Sequence, residues 1–440
     1  MLLWLPLAAL VFVSLWYTER FANNIPHFQD WDLLEVNLGA IPLTWQYLWE
    51  PVTESRLPIY KLLTYAWANV TNHNSYYQAF WFPIGLLALT LWLLTLFNKR
   101  LSWLVHEKII FSCGFFLISF SLAHNSGFID TTVFCYLLIN TSFIFFSLMI
   151  SRTESIIGFH MTFAWLAILL GYFTMANGMA MIFVLIIYSM IKWCSSRKHH
   201  LQAILTLVAG IALVYAYFVK TAPSKPMVWN YSNQANMFYF ISHPVEAVVF
   251  MLNYTGSAVS GESISAAIYA AVLYTAFSLA IYKKARGRFR QFFLNDFFSN
   301  FFLVLFITAF FAAAIVTAGR LSLGTEFALR SRYFTWSIVL NFAIWGYLFQ
   351  SFPTGRIKRG LLLSFFLLAM SSYMTGWYRG FYKSDKHVTV IAERMYIDCV
   401  KKSIPDFDHC LRFDTVGGHR ELKSKTLLLL DKKAAFFKGI

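Results

Sequence analysis

Carboxylates are scarce in this chain: Asp and Glu together number 21 in 440 residues, against 36 Lys and Arg. Charged residues of both signs reach only 13%, about half of what a soluble globular protein carries, which excludes an ordinary water-soluble enzyme or binding module. Cysteine is sparse too. Cys113, Cys135, Cys194, Cys399 and Cys410 show neither the spacing nor the partner set of a zinc site, so no cysteine metal site is expected. Low-complexity tracts are missing, as are internal repeats of the kind that build secondary transporters. The first apolar segment lacks a basic start, and no clear small-residue cleavage site precedes Glu19 and Arg20; a cleaved signal peptide is not expected.

What fills the space is apolar. Hydrophobic residues make up 58% and aromatics 19%, with a mean hydropathy of +0.56, values that define an all-α polytopic membrane protein. Runs able to cross about 30 Å of hydrocarbon as a helix recur at 2–17, 79–97, 109–123, 131–150, 156–173, 177–191, 201–219, 263–282, 297–318, 333–352 and 360–377. About eleven transmembrane helices are therefore expected.

Lys and Arg orient them, because short loops rich in these residues stay in the cytoplasm. Loops beginning at Asn98, Ser151, Lys192, Lys283 and Pro353 are the rich ones, one holding Lys283, Lys284, Arg286, Arg288 and Arg290. The alternate loops carry only Arg20, Arg56, Lys61, Lys220, Lys225, Arg320, Arg330 and Arg332. The N-terminus is thus predicted inside. Loops 18–78, 220–262 and 319–332 and a tail at 378–440 are predicted outside, appended to a membrane domain at 1–377. Topology and contact with anionic lipid headgroups account for much of the +15 net charge, so no nucleic-acid partner is expected.

The tail carries Cys399 and Cys410, which in an oxidising compartment would close a small stabilising loop as a disulfide; two unpaired thiols are the alternative. It reads as short helices and turns ending in an amphipathic run from Leu427 to Phe437 that would lie against the membrane.

Loop 18–78 gathers the scarce carboxylates: Asp30, Asp32, Glu35, Glu50 and Glu54, with Trp31 and Arg56 among them. Two aromatic stretches, Pro42 to Trp49 and Pro58 to Val70, predict short interfacial helices. They would hold the Asp30 and Glu54 turns at the membrane surface, where a lipid-borne substrate presents its headgroup.

The run Phe28-Gln29-Asp30-Trp31, then Leu48-Trp49, then Glu54-Ser55-Arg56-Leu57-Pro58 resembles the first outer loop of bacterial polyprenyl-phosphate-sugar-dependent glycosyltransferases of the GT-C fold. Ala176-Asn177-Gly178, Asn253-Tyr254-Thr255-Gly256, and Gly319-Arg320, Gly324, Ala328-Leu329, Ser331-Arg332-Tyr333 are similar to further segments of that family, in the same order and on the same predicted side. Ser55 stands where many members have His, and Val52-Thr53 where they have His-Asn, which puts any acceptor contact by those histidines in doubt. Length and the outer tail also resemble the serotype-converting O-antigen glucosyltransferases.

The resemblance implies a GT-C-like bundle in a bacterial inner membrane. A sugar, glucose by the narrower likeness, would pass with inversion from a polyprenyl-phosphate donor to a lipid-linked polysaccharide acceptor such as O-antigen. A donor-synthesising enzyme and a flippase would act upstream. The residues agree: such transfer needs a carboxylate to take the acceptor proton and a cation to stabilise the departing phosphate. Asp30 is the expected base and Asp32 the second choice, the alternative being that the turn only caps a helix at 33–40. Arg320, Arg332 and Tyr333 are expected at the phosphate, with Glu326 a possible partner for an arginine and lipid snorkelling the ordinary alternative. Glu54 and Arg56 are expected either to bind substrate or to form a structural ion pair. The resemblance implies no certain cofactor, and a divalent cation at Asp30 stays open. Rival readings are a transporter or flippase for a lipid-linked saccharide, which should bury ionisable groups at mid-helix, and an O-antigen polymerase.

Overall fold

In hydrocarbon an apolar segment satisfies its backbone by forming a helix, and this chain does so almost throughout. A computed structural model describes residues 4–21, 30–50, 56–71, 76–100, 103–124, 128, 134–152, 158–195, 200–219, 233–286, 297–352, 355–382 and 399. No strand occurs among them. The helices are α1 (Trp4–Phe21), α2 (Asp30–Asn37), α3 (Trp45–Trp49), α4 (Pro58–Thr71), α5 (Trp81–Arg100), α6 (Val105–Ser119), α7 (Phe134–Arg152), α8 (Phe159–Thr174), α9 (Met179–Ser195), α10 (His200–Val219), α11 (Asn233–Ser242), α12 (Pro244–Gly256), α13 (Ser263–Ala285), α14 (Phe297–Arg320), α15 (Ser331–Ser351) and α16 (Arg356–Tyr382).

Five helical stretches among the described residues are long and apolar enough to cross a membrane: Tyr77–Phe97, Phe134–Arg152, Ser263–Lys284, Phe297–Leu323 and Arg356–Phe381. Phe159–Thr174, Ala176–Ile191 and Ala203–Tyr217 are shorter apolar helices. The chain is an all-α protein with multi-pass membrane character. The other expected spans lie on helices α1, α6 and α15, outside both groups. α16 runs past 377, where the tail was expected to begin, and of the remaining tail only Cys399 is among the described residues.

Contacts between distant helix ends show that the long helices alternate in direction. At one end Trp103 Nε1 donates to Gln350 Oε1 at 2.8 Å, Arg152 lies over Phe297 and Lys283 over Phe352. At the other, Tyr17 Oη donates to the Gly380 carbonyl at 3.0 Å and Ser121 Oγ to the Ser372 carbonyl at 3.3 Å. Between them, Phe111, Phe115, Phe302 and Phe342 interlock at ring separations of 4.6 to 5.7 Å. Without a hydrophobic drive between helices in lipid, such packing is what holds a bundle together.

The first end is closed by a buried ion pair. Lys358 Nζ, in the first turns of α16, meets Glu107 Oε2, in the first turn of α6, at 2.9 Å, with side chains 4% and 1% exposed. The same carboxylate oxygen accepts the Leu104 backbone N–H at 3.1 Å, and the ammonium lies 4.8 Å from the centre of the Trp103 ring. Removing one partner of such a pair strands a buried charge, whereas apolar replacement of both is often tolerated. Lys358→Met or Glu107→Leu alone should therefore cost about 3–5 kcal/mol, and the double variant should recover much of it in detergent thermal melts. A double variant as unstable as the sum of the singles would contradict this.

Candidate functional site

At the opposite end the three short helices α2, α3 and α4 form a platform. α2 packs on α4, α3 on α4, and α4 on α8. α2 begins at Asp30 itself, so Asp30 and Asp32 lie in its first turn, where a carboxylate is favoured by the helix dipole; the expected cap before a helix at 33–40 is replaced by this earlier start. Leu33 and Val36 anchor the helix, each 1% exposed. The side chains of Asp30 and Asp32 lie outside the described residues, as does Glu54. α3 is capped by Thr44, whose Oγ1 accepts from Tyr47 N at 3.2 Å.

Two buried cations fasten α3. Lys61 Nζ donates to the carbonyls of Tyr47 and Glu50, the latter at 2.7 Å, and sits 4.5 Å from the Tyr47 ring centre. A cation suits a helix C-terminus, where carbonyls lack partners. Arg56, only 3% exposed, donates through Nη1 to the Trp49 carbonyl, and its backbone N–H donates to Tyr217 Oη at 3.3 Å. Its guanidinium lies 5.0 Å from the Trp49 ring centre and 5.5 Å from that of Tyr217. Trp49 also packs on Tyr172 and Phe173, and Trp45 stacks on Trp49 at 5.9 Å.

The other guanidinium nitrogen, Arg56 Nη2, is buried and has no hydrogen-bond partner. Leaving a buried donor unsatisfied costs about 1–3 kcal/mol, and more for a charged group. Burial lowers the Arg56 pKa, while the neighbouring Tyr217 and Tyr172 act in the opposite direction; an arginine nevertheless stays charged. No carboxylate pairs with Arg56 among the described residues. Among the described residues its side chain contacts the Trp49 carbonyl and two rings, while the ion pair expected with Glu54 involves a residue outside them.

Arg320, at the end of α14, lies 5.7 Å from the Phe327 ring centre, and Arg330 lies 4.2 Å from the same ring. Gly324, with φ +95°, reverses the chain between two 3₁₀ turns in a conformation only glycine adopts without strain. Tyr333 is buried, packed against Phe327, Trp336 and Tyr254. Arg332 occupies the first turn of α15; its side chain lies outside the described residues. Glu326 is exposed and makes no ion pair among the described residues.

The remaining matched segments turn out to be interior joints. Asn253 Nδ2 donates to Ser263 Oγ at 2.7 Å and to the Thr325 carbonyl at 3.2 Å. A side chain on Gly256 would lie 2.0 Å from the Ala266 carbonyl oxygen, and one on Gly178 would lie 2.2 Å from the Gly171 carbonyl carbon. Both glycines let backbones cross at contact. Asn177 Nδ2 is buried without a partner. Cys399 is disulfide-bonded; Cys410, its expected partner, lies outside the described residues. Among those residues no three His, Cys, Asp or Glu side chains gather as a metal site would require.

Sequence reasoning missed the aromatic walls. Tyr172 and Tyr217 read as packing residues of apolar helices, and only their place in the last turn of each helix, with a hydroxyl to satisfy, distinguishes them. The chain matches no protein-family model, no curated protein and no solved structure.

Lys61→Met would remove both carbonyl bonds at the end of α3. Hydrogen bonds to a charged group are worth about 1.5–3 kcal/mol each, so α3 should detach while the bundle stays folded. Limited chymotrypsin digestion should then cut faster at Trp45 to Trp49, with little change in the main melting transition. Unchanged cutting would show that α3 is held by its rings alone.

Proposed function

We propose that this protein is an inverting glycosyltransferase of a bacterial inner membrane, moving a sugar from a polyprenyl-phosphate donor to a lipid-linked surface polysaccharide. The reading takes the bundle as about eleven crossings of GT-C-like design, with a cytoplasmic N-terminus and with the α2–α4 platform and the C-terminal tail on the periplasmic side. One observation carries it: α2, which starts at Asp30, is docked on α4, whose lead-in residue is the buried cation Arg56. The platform thus joins a carboxylate-bearing helix to the helix that follows a buried, fixed positive charge.

The chemistry follows from those two charges. Asp30 takes the proton of the acceptor hydroxyl, whose oxygen forms a bond to the anomeric carbon from the face opposite the phosphate. The bond between that carbon and the phosphate oxygen breaks, and its electron pair leaves on the lipid phosphate, stabilised by guanidinium. A single displacement of this kind inverts the anomeric centre. Asp32 is the second candidate base, and Arg320, Arg332, Tyr333 and Glu54 are candidate substrate contacts. A divalent cation, if one is used, would be held by Asp30 and would supply charge neutralisation for the leaving phosphate. A flippase reading would be favoured by ionisable groups buried at mid-span; the buried Glu107–Lys358 pair sits instead in the first turns of α6 and α16.

Surface polysaccharide should therefore change in structure when the protein is expressed. Asp30→Asn should lower the transfer rate by about two to four orders of magnitude, the range of a lost general base, at normal membrane abundance. A wild-type rate in Asp30→Asn would reject the base assignment. Export of lipid-linked saccharide with no change in glycan structure would favour the flippase.

A further inference from the structure

We infer that Arg56, rather than Arg320, is the seat of the lipid phosphate, with its Nη2 edge as the docking point and Trp49 as a displaceable cover. The inference deepens the transferase reading and rests on it for the identity of the lipid. The seat itself stands on separate geometry.

Three observations carry it. Arg56 is 3% exposed and its Nη2 has no partner. Its Nη1 is held by the Trp49 carbonyl, which fixes the orientation of the guanidinium plane. Rings cover it, Trp49 at 5.0 Å and Tyr217 at 5.5 Å. A buried, oriented, half-satisfied guanidinium is matched by an anion that offers two oxygens, as a phosphate does. A carboxylate of the chain would have served equally well, and among the described residues none is there. The second buried cation, Lys61, is by contrast spent on two carbonyls, and Arg320 shares the Phe327 ring with Arg330.

Because Nη2 is closed off, an anion reaches it only by moving something. Tyr217 is 5% exposed and rooted in α10. Trp49 is half-buried at the end of a five-residue helix, with the 65% exposed Trp45 stacked upon it. Trp49 is thus the movable ring. Once displaced it leaves an aromatic and apolar flank beside the phosphate, suited to the first isoprenoid units of the chain that follows.

The test is equilibrium binding of radiolabelled farnesyl phosphate to the purified full-length chain in dodecyl maltoside, with farnesol, inorganic phosphate and phosphatidylglycerol as competitors. Saturable binding that farnesol does not displace is expected, weakened at least tenfold in Arg56→Gln. Arg56→Lys keeps the charge but loses the fork, and should weaken binding severalfold; it decides the matter if Arg56→Gln does not fold. Equal competition by phosphatidylglycerol supports the seat and assigns it to phospholipid headgroups. Affinity unchanged in both variants overturns the proposal. Arg56-dependent binding with no glycosyl transfer would leave the seat standing and remove the transferase reading. Normal transfer by an Arg56→Gln protein that binds farnesyl phosphate as tightly as wild type would remove the seat alone.

Discussion

A helix that ends inside an apolar bundle leaves carbonyls and N–H groups without water, and each must find a partner or cost several kcal/mol. α12 ends in this way, at Gly256, and the packing around it follows from that requirement. The Thr255 carbonyl accepts from Ser337 Oγ at 2.9 Å and from Asn341 Nδ2 at 2.8 Å. Ser337 Oγ accepts the Ala258 N–H at 3.1 Å, and Ser372 Oγ donates to the Ala258 carbonyl. Tyr269 Oη donates to Asn341 Oδ1 at 2.6 Å and accepts from Trp345 Nε1 at 3.0 Å. One turn of backbone thereby fixes the relative positions of α12, α13, α15 and α16.

That joint also explains which parts of the chain the sequence makes readable. Apolar runs report the helices because length and hydropathy are local properties, and α7, α13 and α14 begin within a few residues of their expected starts. The platform helices were readable as well, since Trp and Tyr mark an interface: stretches expected at Pro42 to Trp49 and Pro58 to Val70 are α3 and α4. Partners across the fold are not local. Asn253 and Gly256 look like elements of an outer loop, yet they lie in the interior because Ser263, Ala266 and Thr325 are brought to them from elsewhere. The same holds for Arg56, whose walls come from α3 and α10.

The acid-rich stretch is where sequence and geometry meet only in part. The scarcity of carboxylates singled out the loop, and its resemblance to the glycosyltransferase loop singled out Asp30 within it; α2 places that residue on a helix docked to the helix behind Arg56. Sequence alone left Arg56 balanced between a substrate contact and an ion pair, because proximity of Glu54 in the chain says nothing about which group the guanidinium faces. The Trp49 carbonyl and the rings of Trp49 and Tyr217 answer that question for one half of the guanidinium.

The three cations buried among the described residues meet the same electrostatic problem differently, and the differences rank them. Lys358 has a full counter-charge in Glu107; its cost of burial is offset within the protein, and it pins α16 to α6 without needing anything further. Lys61 reaches two carbonyls at a helix C-terminus, where partial negative charge is concentrated. Arg56 has one carbonyl and two π faces, which orient a cation but neutralise it weakly, and one donor edge left over. Stability alone would not favour that arrangement, since a Met or Leu would fill the same aromatic surroundings without desolvating a charge. A cation kept under those conditions, on the platform that also carries Asp30, is most economically explained by an anion that comes and goes.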